Sequence, residues 1–208
     1  MKELKDLLRN ARLRARILER VDEFKLNKYA SYNVWLRELL LCILTSNSSF
    51  INAYRALNYI YSLGLPKDEN KIMMALRSVG YRFYRLKARY IVYALNTFDS
   101  KMAEQLRLLA DRDQFEAREF LMDNLYGLGM KESSHYLRNL GYFDLSIIDR
   151  HVIDFLRTYL ELNITNKLTK KRYLEYEGVL RSISTFLGIP PGIFDLYIWY
   201  VETGTLVK

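Results

Sequence analysis

An all-α fold is predicted by three observations. Only three of the 208 residues are proline and nine are glycine, too few to punctuate a sandwich or barrel of short strands. Half of the residues are hydrophobic, and over long stretches the apolar ones recur at intervals of three and four, the period of a helix with one buried face. No pair of strand-like segments, low-complexity tract or internal repeat interrupts that pattern.

The elements follow in order. Lys2 to about Phe24 carries Leu4, Leu7, Leu8, Leu13, Ile17, Leu18 and Val21 at helical spacing, with arginines between them. The pattern breaks over Leu26–Asn33, where Ser31 or Asn33 can cap the next helix. Val34 to about Thr45 is apolar enough to predict a buried helix. The polar interruption Ser46-Asn47-Ser48-Ser49 separates it from a helix over Phe50–Ser62. Gly64-Leu65-Pro66 reads as a turn with Pro66 opening a helix. Further helices are predicted over Asp113–Leu125, from Lys131 to about Leu140 and from Asp149 to about Leu160. Asn163–Lys171 reads as a polar, basic loop. Two closing helical segments are split by Gly188-Ile189-Pro190-Pro191-Gly192.

The formal charge of +8 favours an anionic partner, nucleic acid foremost, although a basic balance alone also fits a protein with no such partner. The charge is concentrated. No acidic residue lies between Glu69 and Asp99, and Gly80–Tyr93, GYRFYRLKARYIVY, interleaves Arg82, Arg85, Lys87 and Arg89 with Tyr81, Phe83, Tyr84, Tyr90 and Tyr93. Basic side chains there can neutralise phosphates, with Arg82 and Arg85 as candidate contacts to the DNA backbone. The tyrosines are open to two readings, as stacking groups or as the core face of an amphipathic helix. A single cysteine, Cys42, sits in the apolar run Leu39–Leu44 and is expected in the core. One thiol makes no internal disulfide, Cys-rich zinc site or four-cysteine cluster, and no ligand set implies a metal or organic cofactor. The charged start MKELKDLLRNARLRAR has no apolar signal core, and no apolar stretch approaches the ~18 residues of a membrane span. A cytoplasmic protein without a membrane partner is expected.

The chemistry concentrates in Leu125–Val152, LYGLGMKESSHYLRNLGYFDLSIIDRHV. Gly127 and Gly129 form a tight turn between two helices, where unusual backbone angles and close approach of another backbone call for glycine. Amides exposed in such a hairpin can hold a DNA phosphate without reading sequence. Lys131 follows Gly129 by two residues, in the first turn of the second helix, where the positive end of the helix dipole disfavours an ammonium. A neutral amine is what attack on a sugar carbon requires. Eighteen residues later, Asp149 precedes another helix. Its carboxylate can stabilise a cationic deoxyribose as a base departs, can cap its helix, or can do both.

These residues resemble the helix-hairpin-helix DNA glycosylase superfamily, whose hairpin reads roughly Leu-Pro-Gly-Val-Gly-x-Lys and is followed by an Asp opening a later helix. Leu125-Tyr126-Gly127-Leu128-Gly129-Met130-Lys131 matches, with Tyr126 in the proline position, a departure that removes no chemistry. The resemblance implies that Lys131 and Asp149 are catalytic and that the enzyme is bifunctional. His151 resembles a position that approaches backbone phosphate, and an ordinary surface histidine fits its place in the sequence as well. The missing cysteine cluster argues against the iron–sulfur branch, and the length leaves no room for the extra β domain of eukaryotic-type 8-oxoguanine enzymes. The chain resembles the short archaeal 8-oxoguanine DNA glycosylase/lyase group, through WLRELLLCILTSNSS, GYRFYRLKARYIV, GMKESSHYLRNLGYFDLSIIDRHVIDFL and DLYIWYVETG.

That resemblance implies two helical lobes flanking a cleft. Residues 31–141 would form a barrel-like lobe ending in the hairpin, and residues 1–30 with 142–208 a second lobe carrying Asp149 and the base pocket. It also gives the final residue a role. The terminal carboxylate of Lys208 would accept from N7–H of 8-oxoguanine, whereas the N7 lone pair of guanine would repel it. Without the resemblance, Lys208 reads as an ordinary chain end. Trp199 is the first candidate to stack on the flipped base and Phe83 the second, although Trp199 also fits core packing in the last helix. The function expected is excision of 8-oxoguanine from double-stranded DNA by a cofactor-free monomer, through a Lys131 Schiff base and β-elimination. A glycosylase for another lesion and a non-catalytic hairpin module are the competing readings.

Overall fold

Helices are the regular elements among the described residues, which are 7–160 and 168–206 of the computed structural model, and no strand occurs among them. The chain runs through α1 (Ala11–Lys28), α2 (Tyr32–Thr45), α3 (Phe50–Ser62), α4 (Glu69–Ser78), α5 (Tyr84–Thr97), α6 (Ser100–Arg112), α7 (Gln114–Asn124), α8 (Met130–Asn139), α9 (Arg150–Leu160), α10 (Lys170–Leu187) and α11 (Pro191–Thr203). None of them is long and apolar enough to cross a membrane.

The structure corrects several boundaries. Asn10 interrupts the first periodic run, because its side chain accepts from the Leu13 amide at 3.0 Å and opens α1 there. α1 then continues to Lys28, past the expected end at Phe24. Pro66 does not open α4; Asp68 caps it instead, accepting from the Lys71 amide at 2.8 Å. A carboxylate that satisfies an open amide prevails over a proline that only presets one dihedral angle. α6, capped by Asp99, was not anticipated from the sequence. The predicted loop Asn163–Lys171 lies partly outside the described residues, and its last two residues already belong to α10, capped by Thr169.

The chain divides into two compact units, Ala30–Tyr136 and Met1–Tyr29 with Leu137–Lys208, so the division falls inside α8. In the first unit α2 is central, with Trp35, Leu36 and Leu39–Leu44 buried, Cys42 among them. α3, α5 and α6 pack against it. Tyr136 reaches back to α2, donating its hydroxyl to the Trp35 carbonyl at 3.1 Å with the two rings edge-on.

In the second unit α11 packs against α1, α9 and α10. Arg138, near the end of α8, is buried, lies over the Phe24 ring at 4.8 Å and pairs with Asp195 of α11 at 3.4 Å. A buried guanidinium is tolerable only with such partners, so Arg138 fixes α1 and α11 about the end of α8.

Candidate active site on the hairpin and the capped aspartate

The hairpin is braced from both sides. Asp113 caps α7 through the Phe115 and Glu116 amides at 2.7 and 3.1 Å. Arg118 of α7 is buried and donates to the hydroxyl of Ser134 on α8 at 3.2 Å, tying the two helices together. Gly127 has φ +82, and a Cβ there would collide with Cδ2 of Tyr90 and stand 2.9 Å from its Cε2. Gly127 therefore needs glycine for its backbone angle and for the close approach of a side chain, where another backbone was expected. At Gly129 neither applies: its φ is not positive, and a Cβ would meet only Glu132 Oε2 at 3.7 Å. Tyr126, in the family's proline position, stacks on Tyr93 with ring centroids 4.0 Å apart. Tyr90 and Tyr93 of α5, both half-buried, are thus the bed on which the turn lies.

Lys131 is the second residue of α8, partly exposed, with Nζ 3.5 Å from Oε1 of Glu132. Beside the hairpin is an open pocket of ≈ 380 Å³ lined by Gly127–Gly129, Ser46, Asn47, Phe83, Leu86, Lys87 and Tyr90. Two of its residues, Asn47 and Phe83, hold left-handed backbone at φ 61 without being glycine. Such conformations persist only where surrounding structure imposes them, and they cluster at functional sites. Phe83 is exposed beneath the Arg82 guanidinium, 4.6 Å from its ring, and Arg82 and Arg85 face solvent as expected.

Lys87 does not. It is 4% exposed, and its Nζ donates to the Ile43 carbonyl at 2.6 Å. Burial pushes its pKa down from 10.5 to about 8; the Glu132 carboxylate opposes that shift and Lys131 adds to it. The basic stretch is therefore a surface at its arginines and a buried cation at its lysine.

In the other unit, Asp149 caps α9, accepting from the Val152 amide at 3.0 Å. The segment before it is fixed by α10. The Ser146 amide donates to Glu177 at 3.0 Å, the Ile148 amide to the Tyr173 hydroxyl at 3.2 Å, and that hydroxyl to the Ser146 carbonyl at 2.7 Å. His151 and Trp199 meet edge to face, centroids 4.7 Å apart. The Trp199 indole N–H is buried with no hydrogen-bond partner among the described residues. Glu202 joins this group. Its pKa is raised by burial and by Asp154 and Asp149, against the lowering effect of His151. Lys208 lies outside the described residues.

The structure thus brings Gly127, Gly129 and Phe83 around one pocket in the first unit. It brings Asp149, His151 and Trp199 into one neighbourhood in the second. Sequence reasoning missed Glu132, Asn47, Glu202 and the burial of Lys87. One signal was present for Lys87: it lies four residues before Ile91 and beside Ala88, on the face of α5 that is buried.

Comparison with known proteins gives one answer. A family profile described as 8-oxoguanine DNA glycosylase matches residues 17–189. The 8-oxoguanine DNA glycosylase/AP lyase of Metallosphaera sedula is 54% identical over 206 residues, covering 99% of this chain and all of that protein. The protein of the same name from Saccharolobus islandicus (strain L.S.2.15 / Lassen #1) is 53% identical over 207 residues, with the same coverage. Among solved structures, the Methanocaldococcus jannaschii 8-oxoguanine glycosylase/lyase in complex with a 15-mer DNA containing 8-oxoguanine superposes with a TM-score of 0.88. It is 35% identical and covers the whole of both chains. The 8-oxoguanine DNA glycosylase of Thermotoga maritima gives 0.86 at 34% identity, covering all of this chain and 99% of that one.

Proposed function

Because the chain belongs to the 8-oxoguanine DNA glycosylase family, we propose that it extrudes 8-oxoguanine from duplex DNA, excises it with Lys131 and nicks the strand by β-elimination. It is a base-excision-repair enzyme, a DNA N-glycosylase with AP lyase activity. The observation that carries the finer reading is a partly exposed lysine in the opening turn of a helix whose preceding turn is braced by Tyr90, Tyr93 and Arg118. A nucleophile must be held, yet reachable, and this one is both.

The Lys131 amine donates its electron pair to C1′ of the lesion nucleotide, and the bond from C1′ to the base breaks. The base leaves with the bonding electrons and takes up a proton. Asp149, already fixed as a cap, supplies the negative charge that favours the cationic sugar. Opening of the sugar ring gives a Schiff base between C1′ and Lys131. Loss of a proton from C2′ then expels the 3′ phosphate and nicks the strand.

The remaining assignments concern binding. The amides of the Gly127–Gly129 turn, together with Arg82, Arg85 and His151, hold backbone phosphates. Trp199 stacks on the flipped base with Phe83 as a second aromatic contact, and the Lys208 carboxylate accepts from N7–H of 8-oxoguanine. The enzyme acts as a monomer in the cytoplasm, with the nucleoid, on double-stranded DNA.

Base release from matched duplexes holding 8-oxoguanine, guanine, uracil or an oxidised pyrimidine tests the substrate. Release of 8-oxoguanine at least ~100-fold faster than the others is expected. Preferential release of another base would retain the chemistry and overturn the substrate.

A further inference from the structure

Of the backbone contacts proposed above, Arg82, Arg85 and the Gly127–Gly129 turn all belong to Ala30–Tyr136, which leaves His151 alone in the unit of Asp149 and Trp199. A fixed carboxylate acts only on a substrate held against it, so that unit needs a grip on the strand of its own. Its exposed positive charge is on α1, which packs against α11, the helix that carries Trp199.

α1 opens on the Asn10 cap and has no acidic residue in its first turn. Arg12 and Arg16, one turn apart, share a face of the helix and are both exposed. Cations at that spacing repel each other, and both stand toward the positive end of the helix dipole, so the pair destabilises the helix it sits on. Neither guanidinium pairs with a carboxylate among the described residues. Glu23, on the same side, is taken by Arg20, and Glu19 makes no ion pair with Arg16. Arg14 lies on the opposite flank of the buried stripe Leu13, Ile17 and Val21. There burial raises the pKa of Tyr197 on α11, and the Arg14 charge opposes that rise.

We propose that Arg12 and Arg16 are a second contact for the phosphate backbone of the DNA substrate, on the unit of Asp149 and Trp199. The inference rests on the reading that this unit acts on the extruded nucleotide. Two guanidinium groups a turn apart can each hold a phosphate by paired hydrogen bonds, with no demand on base sequence. Their mutual repulsion is relieved once phosphates lie against them.

The test is binding, at several salt concentrations, to a duplex with a central tetrahydrofuran site, which neither releases a base nor forms a Schiff base. Arg12→Gln and Arg16→Gln should each lower the slope of log affinity against log salt by about 1, and the double variant by about 2. Arg14→Gln removes the same charge from the same helix and should move the slope less than half as far as either. The double variant should unfold at a temperature no lower than the wild type. Its excision of 8-oxoguanine should fall ~10-fold or more at subsaturating enzyme and less than ~3-fold at saturating enzyme. Unmoved slopes would overturn the inference and leave Lys131 and Asp149 in their proposed roles. So would an equal change with Arg14→Gln, which would make the effect one of net charge, or a loss of stability, which would make the pair structural. A wild type that releases no 8-oxoguanine would overturn the proposed function, and the slopes would still decide whether this face holds DNA.

Discussion

At the scale of single residues, the site depends on a few positions where backbone and burial leave no choice. Gly127→Ala puts a side chain into left-handed backbone and against the Tyr90 ring, so it should cost about 2 kcal/mol or more in denaturant unfolding and weaken duplex binding. Gly129→Ala, with neither constraint, should cost about 1 kcal/mol or less. Lys87 gives a prediction in pH. Its folded pKa, about 8, lies below the ordinary 10.5, so between those values the unfolded chain binds more protons than the folded one. The penalty for burying its charge is thus complete below about 8 and is relieved as pH rises toward 10.5. Relative to Lys87→Met, the wild type should gain on the order of 3 kcal/mol across that window, measured as unfolding free energy at each pH. Lys131 and Asp149 stood out in the sequence as candidates because a glycine turn, a lysine and a helix-opening aspartate occur together there, and the structure shows Asp149 as the cap of α9. The burial of Lys87 was not legible, because a lysine among arginines reads as surface until its helix is placed. Lys208 remains an inference from resemblance.

At the scale of elements, caps and faces decided what could be read. α3 runs over Phe50–Ser62, the span its pattern predicts, because strong apolar periodicity begins just after Ser49, whose side chain accepts from the Asn52 amide. α6 escaped notice for a physical reason: its buried face is Ala103, Leu106 and Ala110, while Leu108 is two-thirds exposed, so the hydrophobic signal is weak and partly misdirected. Pro66 misled because its preset dihedral suits a first helical turn, yet Asp68 supplies the cap. Asp149 caps α9, and substitution can separate that cap from the catalytic role proposed for it. Asparagine caps as well as aspartate, so Asp149→Asn should change stability by less than about 0.5 kcal/mol while excision falls roughly 100- to 1,000-fold. Asp149→Ala should lose about 1 kcal/mol of stability in addition, read by thermal or denaturant unfolding. Equal loss of activity and stability in the asparagine variant would leave Asp149 as a cap only.

At the scale of the whole molecule, the net charge of +8 favours the DNA polyanion, damaged or not. Its affinity for an undamaged duplex should fall steeply with salt, and replacing exposed Arg82 or Arg85 by serine should lower the slope of log affinity against log salt by about 1 each. Replacing Lys87, which is buried, should leave that slope unchanged. Each unit carries its own part of the constellation, the hairpin with Lys131 in one and Asp149 with Trp199 in the other. The proposed function makes Lys131 the amine joined to the sugar during excision. Its most direct test is borohydride trapping with an 8-oxoguanine duplex, using the wild type, Lys131→Gln and an undamaged duplex. A covalent protein–DNA adduct with the wild type on damaged DNA alone, absent for Lys131→Gln, is the predicted result. An adduct of equal yield with Lys131→Gln would contradict it.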